Sequence, residues 1–275
     1  MTQKQYTNLN IGRWLLIGIM FVLTAYLLFA PEMLAPLGPL FAILIAVFAF
    51  WHGYQRFGAK NMIIFFLITW IISHFFESLS VSTGFPFGHY HYKALPGPRI
   101  ANVPLIIMPA YFAMGYTSYI LGQVLTGQYG KKLQDIHIFI TPFVATFIMV
   151  MWDVLMDPLA TTINQSWVWR DSGAYFGVPL SNFVGWFFVV YLFMQLFLLY
   201  LAKYDKMPPK NYDNAFWLEA VAVYAIKGLS FIIPAFVLKS NVEMNGSIAL
   251  ISVFTMMFVA LLSVINIFTM QVRTS

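Results

Sequence analysis

Eight apolar stretches, each about as long as a membrane-crossing helix, constrain this chain more than any other feature. They cover residues 14–30, 37–54, 62–81, 103–125, 136–155, 183–202, 216–238 and 247–270. A helix crosses the hydrocarbon core of a bilayer with about 20 apolar residues, each rising 1.5 Å. Only 9% of the residues are charged, whereas a soluble domain carries about 25%. The sequence therefore predicts an all-α, polytopic membrane helix bundle.

The links between these stretches are short and show no internal repeat, so residues 1–275 are predicted to form a single transmembrane domain. An even number of spans places both termini on one side of the membrane. The cations predicted on that side are Lys4, Arg13, Arg56, Lys60, Lys131, Lys132, Lys203, Lys206, Lys210 and Arg273. The opposite side would carry Lys93, Arg99, Arg170 and Lys239. Cytoplasmic loops are enriched in Lys and Arg, which predicts a multi-pass protein of the cytoplasmic membrane with both termini cytoplasmic. Cations at helix ends also indicate membrane topology rather than a nucleic-acid-binding patch.

The two longest loops, residues 82–102 and 157–182, would then share the non-cytoplasmic side. Both are rich in Gly, Pro and aromatic residues and poor in Lys and Glu, the opposite of a disordered segment. Irregular backbone at membrane depth is tolerated where protein buries it. We therefore expect these loops to fold over the helix ends as a lid.

Acidic residues inside two of the apolar stretches predict the functional site. Glu77 shares a helix face with His74 at i,i+3, and Asp153 shares one with Asp157 at i,i+4. Glu77 and Asp153 each lie about 15 residues, or about 22 Å, along their helices from the cytoplasmic side. Ionisable groups at membrane depth are rare and usually functional. We expect one inward-facing cluster of three acids and a histidine.

For any one of these acids, the alternative is a structural hydrogen bond or an ion pair with Arg99, Arg170 or Lys227. Lys227 and Glu219, two turns apart on one apolar stretch, are themselves expected to pair or to line a water-filled cavity. Burial and like-charge neighbours favour the protonated form of a carboxyl group. A cluster of acids can therefore keep one carboxyl protonated while another is ionised, as general acid catalysis requires.

Aromatic residues near the acids in sequence are candidates for substrate contacts, although Trp and Tyr also form belts at membrane interfaces. The substrate-binding candidates are Phe87, Tyr90, Tyr92, Trp152, Trp167, Trp169, Tyr175, Asn182 and Trp186. The alternation in residues 84–92 predicts a short extended piece, in which His89 and His91 would face the same way. These histidines could bind a metal ion, carry protons or do neither.

Two groups of residues resemble the signatures of a known family. The first comprises Glu77, Gly84, Phe87, Gly88, Tyr90, Tyr92, Val103 and Pro104; the second comprises Asp153, Asp157, Pro158, Trp167, Trp169, Gly173, Tyr175, Gly177, Val178, Pro179, Asn182, Gly185 and Trp186. Together they resemble the CruF-like carotenoid 1,2-hydratases, the bisanhydrobacterioruberin hydratase group of carotenoid biosynthesis proteins. The resemblance covers residues 77–186.

The resemblance implies a hydro-lyase that adds water to the terminal 1,2 double bond of an acyclic ψ end group. The substrate would be a carotenoid of the lycopene, γ-carotene or bisanhydrobacterioruberin type, reached from the membrane lipid. It implies neither a cofactor nor a metal ion. It does not assign catalytic roles, so these must come from the chemistry of the reaction.

A trisubstituted alkene takes up water only after protonation, which here places a proton on C2 and leaves a tertiary cation at C1. The enzyme needs an acid in an apolar pocket, π faces beside the cation, a base for the water and exclusion of bulk water. We expect Asp153 or Asp157 to donate the proton and Glu77, with His74, to act as the base. The reverse assignment also fits the sequence.

Other functions fit parts of the same pattern. A carotenoid cyclase would use the same protonation, and the spacing of Asp153 and Asp157 would suit a Mg²⁺-dependent prenyltransferase, although no second acidic motif is present. A di-iron hydroxylase needs a histidine-rich set of ligands, whereas this chain has five histidines, of which His52 and His137 are remote from the others in sequence. A proton-coupled transporter could use Glu77, Asp153 and Lys227, but the inverted repeats frequent in transporters are missing.

Overall fold

The structure of the protein is a computed structural model, which describes residues 3–93, 95, 97–129, 134–205 and 212–271. Most of them are helical, as the sequence predicts. The helices are α1 (Gln3–Tyr26), α2 (Leu34–Thr83), α3 (Ile107–Leu125), α4 (His137–Pro158), α5 (Leu180–Tyr204), α6 (Asn214–Ile232), α7 (Pro234–Val237), α8 (Val242–Ser252) and α9 (Phe258–Gln271). The strands are β1 (Tyr90–Tyr92), β2 (Arg99–Ile100), β3 (Val103–Pro104) and β4 (Trp167–Trp169).

Five helical segments of the described residues are long and apolar enough to cross a membrane. They are Pro36–Thr83, His137–Ile163, Leu180–Tyr204, Asn214–Val237 and Val242–Thr269, and a shorter apolar helix covers Ile11–Tyr26. This confirms a helical architecture of the membrane type. The count of eight spans and their sidedness stay predictions; of the cations used for that assignment, Lys131, Lys132, Lys206, Lys210 and Arg273 lie outside the described residues.

The long helix α2 is bent into a hairpin at Gly58. This glycine has φ 76° and ψ 166°, a backbone conformation that side chains with a Cβ rarely adopt. The rings of Phe50 and Phe66, on either side of it, lie 5.5 Å apart between centroids. Along a straight helix their separation in sequence would place them about 24 Å apart. The predicted stretches 37–54 and 62–81 are therefore the two arms of α2, packed side by side.

Helix α3 lies inside the bundle, where it packs against α2, α4 and α6. Most of its side chains are buried, including Tyr116, Tyr119 and Gln123. The outer helices instead expose large apolar side chains such as Leu15 on α1 and Val184 on α5. Large exposed apolar surfaces mark contact with a membrane or a partner. Polar groups thus concentrate in the interior, where they can form a site.

The two long loops are joined by a strand pair. Strands β1 and β4 are antiparallel, with Tyr90 opposite Trp169 and Tyr92 opposite Trp167. The predicted extended piece is confirmed at β1, but its pairing partner could not be read from the sequence. Tyr90 and Tyr92 point inward and are buried, whereas His91 between them is exposed. The pairing places aromatic side chains of both loops over the same helix ends.

The end of α4 carries the second half of the site. The helix ends at Pro158, inside the predicted loop 157–182, and the chain continues as a π-helical turn over Leu159–Ile163. The turn is closed by the Asn164 amide, which donates to the Leu159 carbonyl oxygen at 2.9 Å. Asp157 therefore lies in the last turn of a helix rather than in the loop that follows.

Candidate active site

A cavity of about 220 Å³ lies below the paired loops, where α2, α3, α4, α5 and α6 meet. Its polar lining includes Glu77, Asp157, Asn182 and Lys227. Its aromatic lining includes Phe87, Tyr90, Tyr92, Tyr111, Trp152, Trp167, Trp169 and Trp186. Pockets that enclose a drug-sized ligand have volumes of about 300–1,000 Å³. The enclosed space therefore suits one end of a long, largely apolar molecule.

Glu77 is held on one side of this cavity by three tyrosine hydroxyl groups. Tyr111 donates to Glu77 Oε1 at 2.6 Å, and Tyr92 donates to Oε2 at 2.7 Å. Tyr90 also donates to Oε2. Three elements thus converge on one buried carboxyl group, with α2 supplying the acid, β1 two tyrosines and α3 the third.

The two tyrosines of β1 keep their hydroxyl protons over a wide pH range. Burial raises the pKa of the Tyr90 and Tyr92 hydroxyls well above their usual value of 10, and the charge of Glu77 raises it further. Both side chains therefore stay protonated throughout the neutral and moderately alkaline range, and their O–H groups remain directed at Glu77.

Asp153 and Asp157 are joined by a single amide group. Asn182 Nδ2 donates to Asp157 Oδ2 at 2.7 Å and to Asp153 Oδ2 at 3.2 Å. The indole of Trp167 donates to Asp157 Oδ1 at 2.6 Å. Asp153 Oδ1 has no hydrogen-bond partner among the described residues. One turn of α4 therefore presents two buried carboxyl groups that share a donor from the first turns of α5.

The aromatic residues form a continuous wall around the acids. Tyr111 and Trp186 stack with centroids 4.5 Å apart and planes 2° from parallel. Trp152 meets Trp186 edge to face at 5.9 Å. Tyr90 and Trp169 lie 4.9 Å apart across the strand pair. These rings therefore line a cavity between helices, which is the substrate-contact alternative of the sequence analysis.

Most of the predicted site residues come together in this cavity. Those that line it are Glu77, Phe87, Tyr90, Tyr92, Trp152, Asp157, Trp167, Trp169, Asn182 and Trp186. Asp153 is outside the lining but reaches it through Asn182. Tyr175 is also outside, where its hydroxyl donates to the Val154 carbonyl oxygen at 3.0 Å and ties the loop to α4.

His74 does not join the cluster as expected. Neither of its ring nitrogens has a hydrogen-bond partner among the described residues, and the residue is not part of the cavity lining. The partners of Glu77 are tyrosines instead. His89 and His91 are both exposed, and the described residues contain no group of three or more His, Asp or Glu side chains placed to hold a metal ion.

Tyr111 and Glu219 form contacts that the sequence did not predict. Tyr111 was not among the candidates, although it lies in an apolar stretch that faces the same cluster. Of the two expectations for Glu219 and Lys227, the pair does not form: Glu219 accepts a hydrogen bond from Arg13 Nε at 2.5 Å, whereas Lys227 lines the cavity. Within the described part of the chain, no cationic side chain is within salt-bridge distance of Glu77, Asp153 or Asp157.

Comparison with known proteins places this site in a family. The sequence profile described as "Carotenoid biosynthesis protein" matches residues 37–258. The chain belongs to this family. The matched region includes every cavity residue named above, from α2 to α6.

One relative is the protein named bisanhydrobacterioruberin hydratase from Haloarcula japonica. The two are 27% identical over 117 residues, which is 42% of this chain and 38% of that protein. The chain therefore matches less than half of the relative's length. No solved structure matches the chain.

Proposed function

We propose that this protein is a carotenoid hydratase that adds water to the terminal 1,2 double bond of an acyclic ψ end group. One observation carries the proposal: two carboxyl groups from different helices, Glu77 and Asp157, line the same aromatic-walled cavity. Membership of the carotenoid biosynthesis family and the distant relative named as a hydratase support it.

Asp157 is the proposed proton donor. It lines the cavity, and its two oxygens are fixed by Trp167 and Asn182, so its carboxyl group is oriented before the substrate binds. Transfer of its proton to C2 forms a C–H bond, and the two electrons of the double bond leave C1 as a tertiary cation. Asp153, held by the same Asn182 amide, acts as a positioning residue for the donor.

The cation at C1 is stabilised by the rings of the cavity wall. Trp152 and Trp186 line this space, and Tyr111 is stacked on Trp186. A cation over an indole or phenol face gains about 0.5–2 kcal/mol per ring, more where water is excluded. The carboxylate form of Glu77, which the proposed step requires, adds an electrostatic contribution that is stronger where water is excluded.

Glu77 is the proposed base. A water molecule attacks C1 through an oxygen lone pair, and the proton that this water releases passes to Glu77, directly or through one of the tyrosine hydroxyls bound to it. Transfer of that proton back to Asp157 completes the cycle. The sum of these steps is one water added and no change in the protein.

The size of the cavity fits recognition of an end group. A space of about 220 Å³ accommodates the terminal isoprenoid units, while the rest of a polyene would lie between helices and in the surrounding lipid. The substrate could thus react without leaving the membrane, and each end of a symmetric carotenoid could react in turn.

Expression in cells that make lycopene tests the proposal. Wild-type protein should yield pigments heavier by one or two waters, and Asp157→Asn and Glu77→Gln should abolish them. Asp171→Asn is the matched control, because Asp171 is exposed in the loop that follows α4 and does not line the cavity.

The product also separates the rival functions. An isomer of unchanged mass would indicate a cyclase, and a product enlarged by an isoprenoid unit would indicate a prenyltransferase. Unaltered pigment in cells that contain the folded protein would contradict a carotenoid-modifying reaction and favour a transporter.

A further inference from the structure

Lys227 has no role in the chemistry proposed above, although it lines the same cavity. It lies on α6, and its ammonium is 4.6 Å from the ring centroid of Phe231 and 5.8 Å from that of Phe41. Glu219, one partner that the sequence offered for it, is bound to Arg13. Among the described residues, none forms a hydrogen bond or an ion pair with the Lys227 side chain.

An ammonium in this position is incompletely satisfied. It carries three N–H donors, and the two phenylalanine faces attract a cation without offering it an oxygen lone pair. Polar groups buried away from water without a partner are costly, and charged groups more so, especially at membrane depth. The cavity therefore contains a donor directed at whatever molecule fills it.

The reacting carbon is not the partner of this donor. The proposed reaction develops positive charge at C1, and a cation of the same sign would oppose it in a low-dielectric site. The ammonium therefore marks a position taken by a different part of the ligand, one that carries a hydrogen-bond acceptor.

We propose that Lys227 forms a subsite for an oxygen atom of the substrate, a hydroxyl or carbonyl group close to the end group that reacts. The inference rests on the proposed function in taking a carotenoid as the ligand. An oxygenated chain satisfies the ammonium, whereas a pure hydrocarbon displaces any water and leaves the donors unpaired. Sites with buried polar groups reject ligands that lack the matching group. The protein should therefore prefer an oxygenated carotenoid to the corresponding hydrocarbon.

Binding of two matched polyenes tests the subsite. The purified full-length protein in lipid nanodiscs is titrated with an acyclic carotenoid hydrocarbon and with the same chain bearing a hydroxyl group near its end. Quenching of tryptophan fluorescence reports occupancy, since Trp152 and Trp186 line the cavity. A hydrogen bond from a charged donor predicts that the wild-type protein binds the hydroxylated chain about 10- to 100-fold more tightly.

Variants assign that preference to the side chain. Lys227→Met should bring the affinity ratio close to one, and Lys227→Gln, which keeps an N–H donor, should retain part of it. Lys239→Met is the matched control, because Lys239 is exposed and does not line the cavity; it should behave as wild type. A ratio near one in the wild-type protein, or an unchanged ratio in Lys227→Met, would overturn the inference and indicate that water or the rings alone satisfy the ammonium.

These results are independent of catalysis. The same titrations in Asp157→Asn, in which the proposed reaction is blocked, measure binding without turnover, so a protein that hydrates nothing but retains a Lys227-dependent preference keeps the subsite and loses the proposed reaction. Hydration of both polyenes without any such preference would have the opposite meaning.

Discussion

Removal of single hydroxyl groups around Glu77 should have unequal effects on stability. Tyr111 is the one described donor to Glu77 Oε1, at 2.6 Å, whereas Oε2 accepts from both Tyr90 and Tyr92. Tyr111→Phe therefore leaves one buried carboxyl oxygen without a donor, while Tyr92→Phe leaves a donor on each oxygen. Phenylalanine retains the stacking of Tyr111 on Trp186, so the hydroxyl is the main group lost.

Hydrogen bonds to charged groups contribute about 1.5–3 kcal/mol, compared with about 1 kcal/mol for a typical hydrogen bond. We therefore expect Tyr111→Phe to cost about 2 kcal/mol and Tyr92→Phe about half as much. In a protein of this size 1 kcal/mol shifts the unfolding temperature by about 2–4 °C, so the shifts should be about 4–8 °C and 2–4 °C. The assay is thermal unfolding in detergent, followed by tryptophan fluorescence.

Two controls make the comparison specific. Tyr129→Phe removes a buried hydroxyl that has no hydrogen-bond partner among the described residues, and should leave the unfolding temperature nearly unchanged or raise it. In the Glu77→Gln background, Tyr111→Phe should cost clearly less, since the charge that strengthens the bond is gone. Equal shifts for Tyr111→Phe, Tyr92→Phe and Tyr129→Phe would refute the reasoning.

Three further perturbations follow from the same geometry. Asn182→Ala removes the amide shared by the two aspartates and should lower kcat about 10- to 100-fold with little change in KM. The assay uses membranes supplied with substrate. An increase in KM with unchanged kcat would contradict a positioning role. Gly185→Ala should lower the free energy of unfolding by about 1–3 kcal/mol, because a Cβ there would lie 2.8 Å from the carbonyl oxygen of Pro86. The control Gly246→Ala, in open space on α8, should raise it by about 0.5–1 kcal/mol. Shifts of equal sign in the unfolding temperature would be inconsistent with this packing. Because burial raises the pKa of Tyr92, its contribution to stability should be complete below pH 10, the usual pKa in the unfolded chain, and should decline as pH rises towards the higher folded-state pKa. The unfolding temperature of the wild-type protein should therefore fall more steeply above pH 10 than that of Tyr92→Phe. Parallel curves would contradict this pH dependence.

The sequence was informative wherever hydrophobicity and distance along a helix decide the structure. Apolar length predicted the helices, including both arms of α2, and counting residues predicted that Glu77 and Asp153 lie at similar depth. The composition of the loops predicted folded rather than disordered segments, and the pair of β1 with β4 joins them. These features depend on local sequence and on the thickness of a bilayer, which a single chain reveals without knowledge of its neighbours.

Contacts between distant segments were not predictable in the same way. The pairing of β1 with β4 depends on where two loops meet, and the rotation of each helix depends on its packing partners. His74 shares a helix face with Glu77 in sequence, but the cavity wall includes only part of that face. Tyr111 reaches Glu77 across a helix interface, and Arg13 takes Glu219 away from Lys227. Each of these outcomes is set by tertiary packing.

Isotopic labelling of the product tests the central claim, that Asp157 delivers a proton to the double bond and water captures the resulting cation. Membranes containing the protein are incubated with an acyclic carotenoid in deuterium oxide that also carries labelled oxygen. We expect each hydrated end to gain one deuterium at C2 and one labelled oxygen at C1, and we expect Asp157→Asn to give no labelled product. Product that carries deuterium without labelled oxygen, or undiminished labelling in Asp157→Asn, would contradict it.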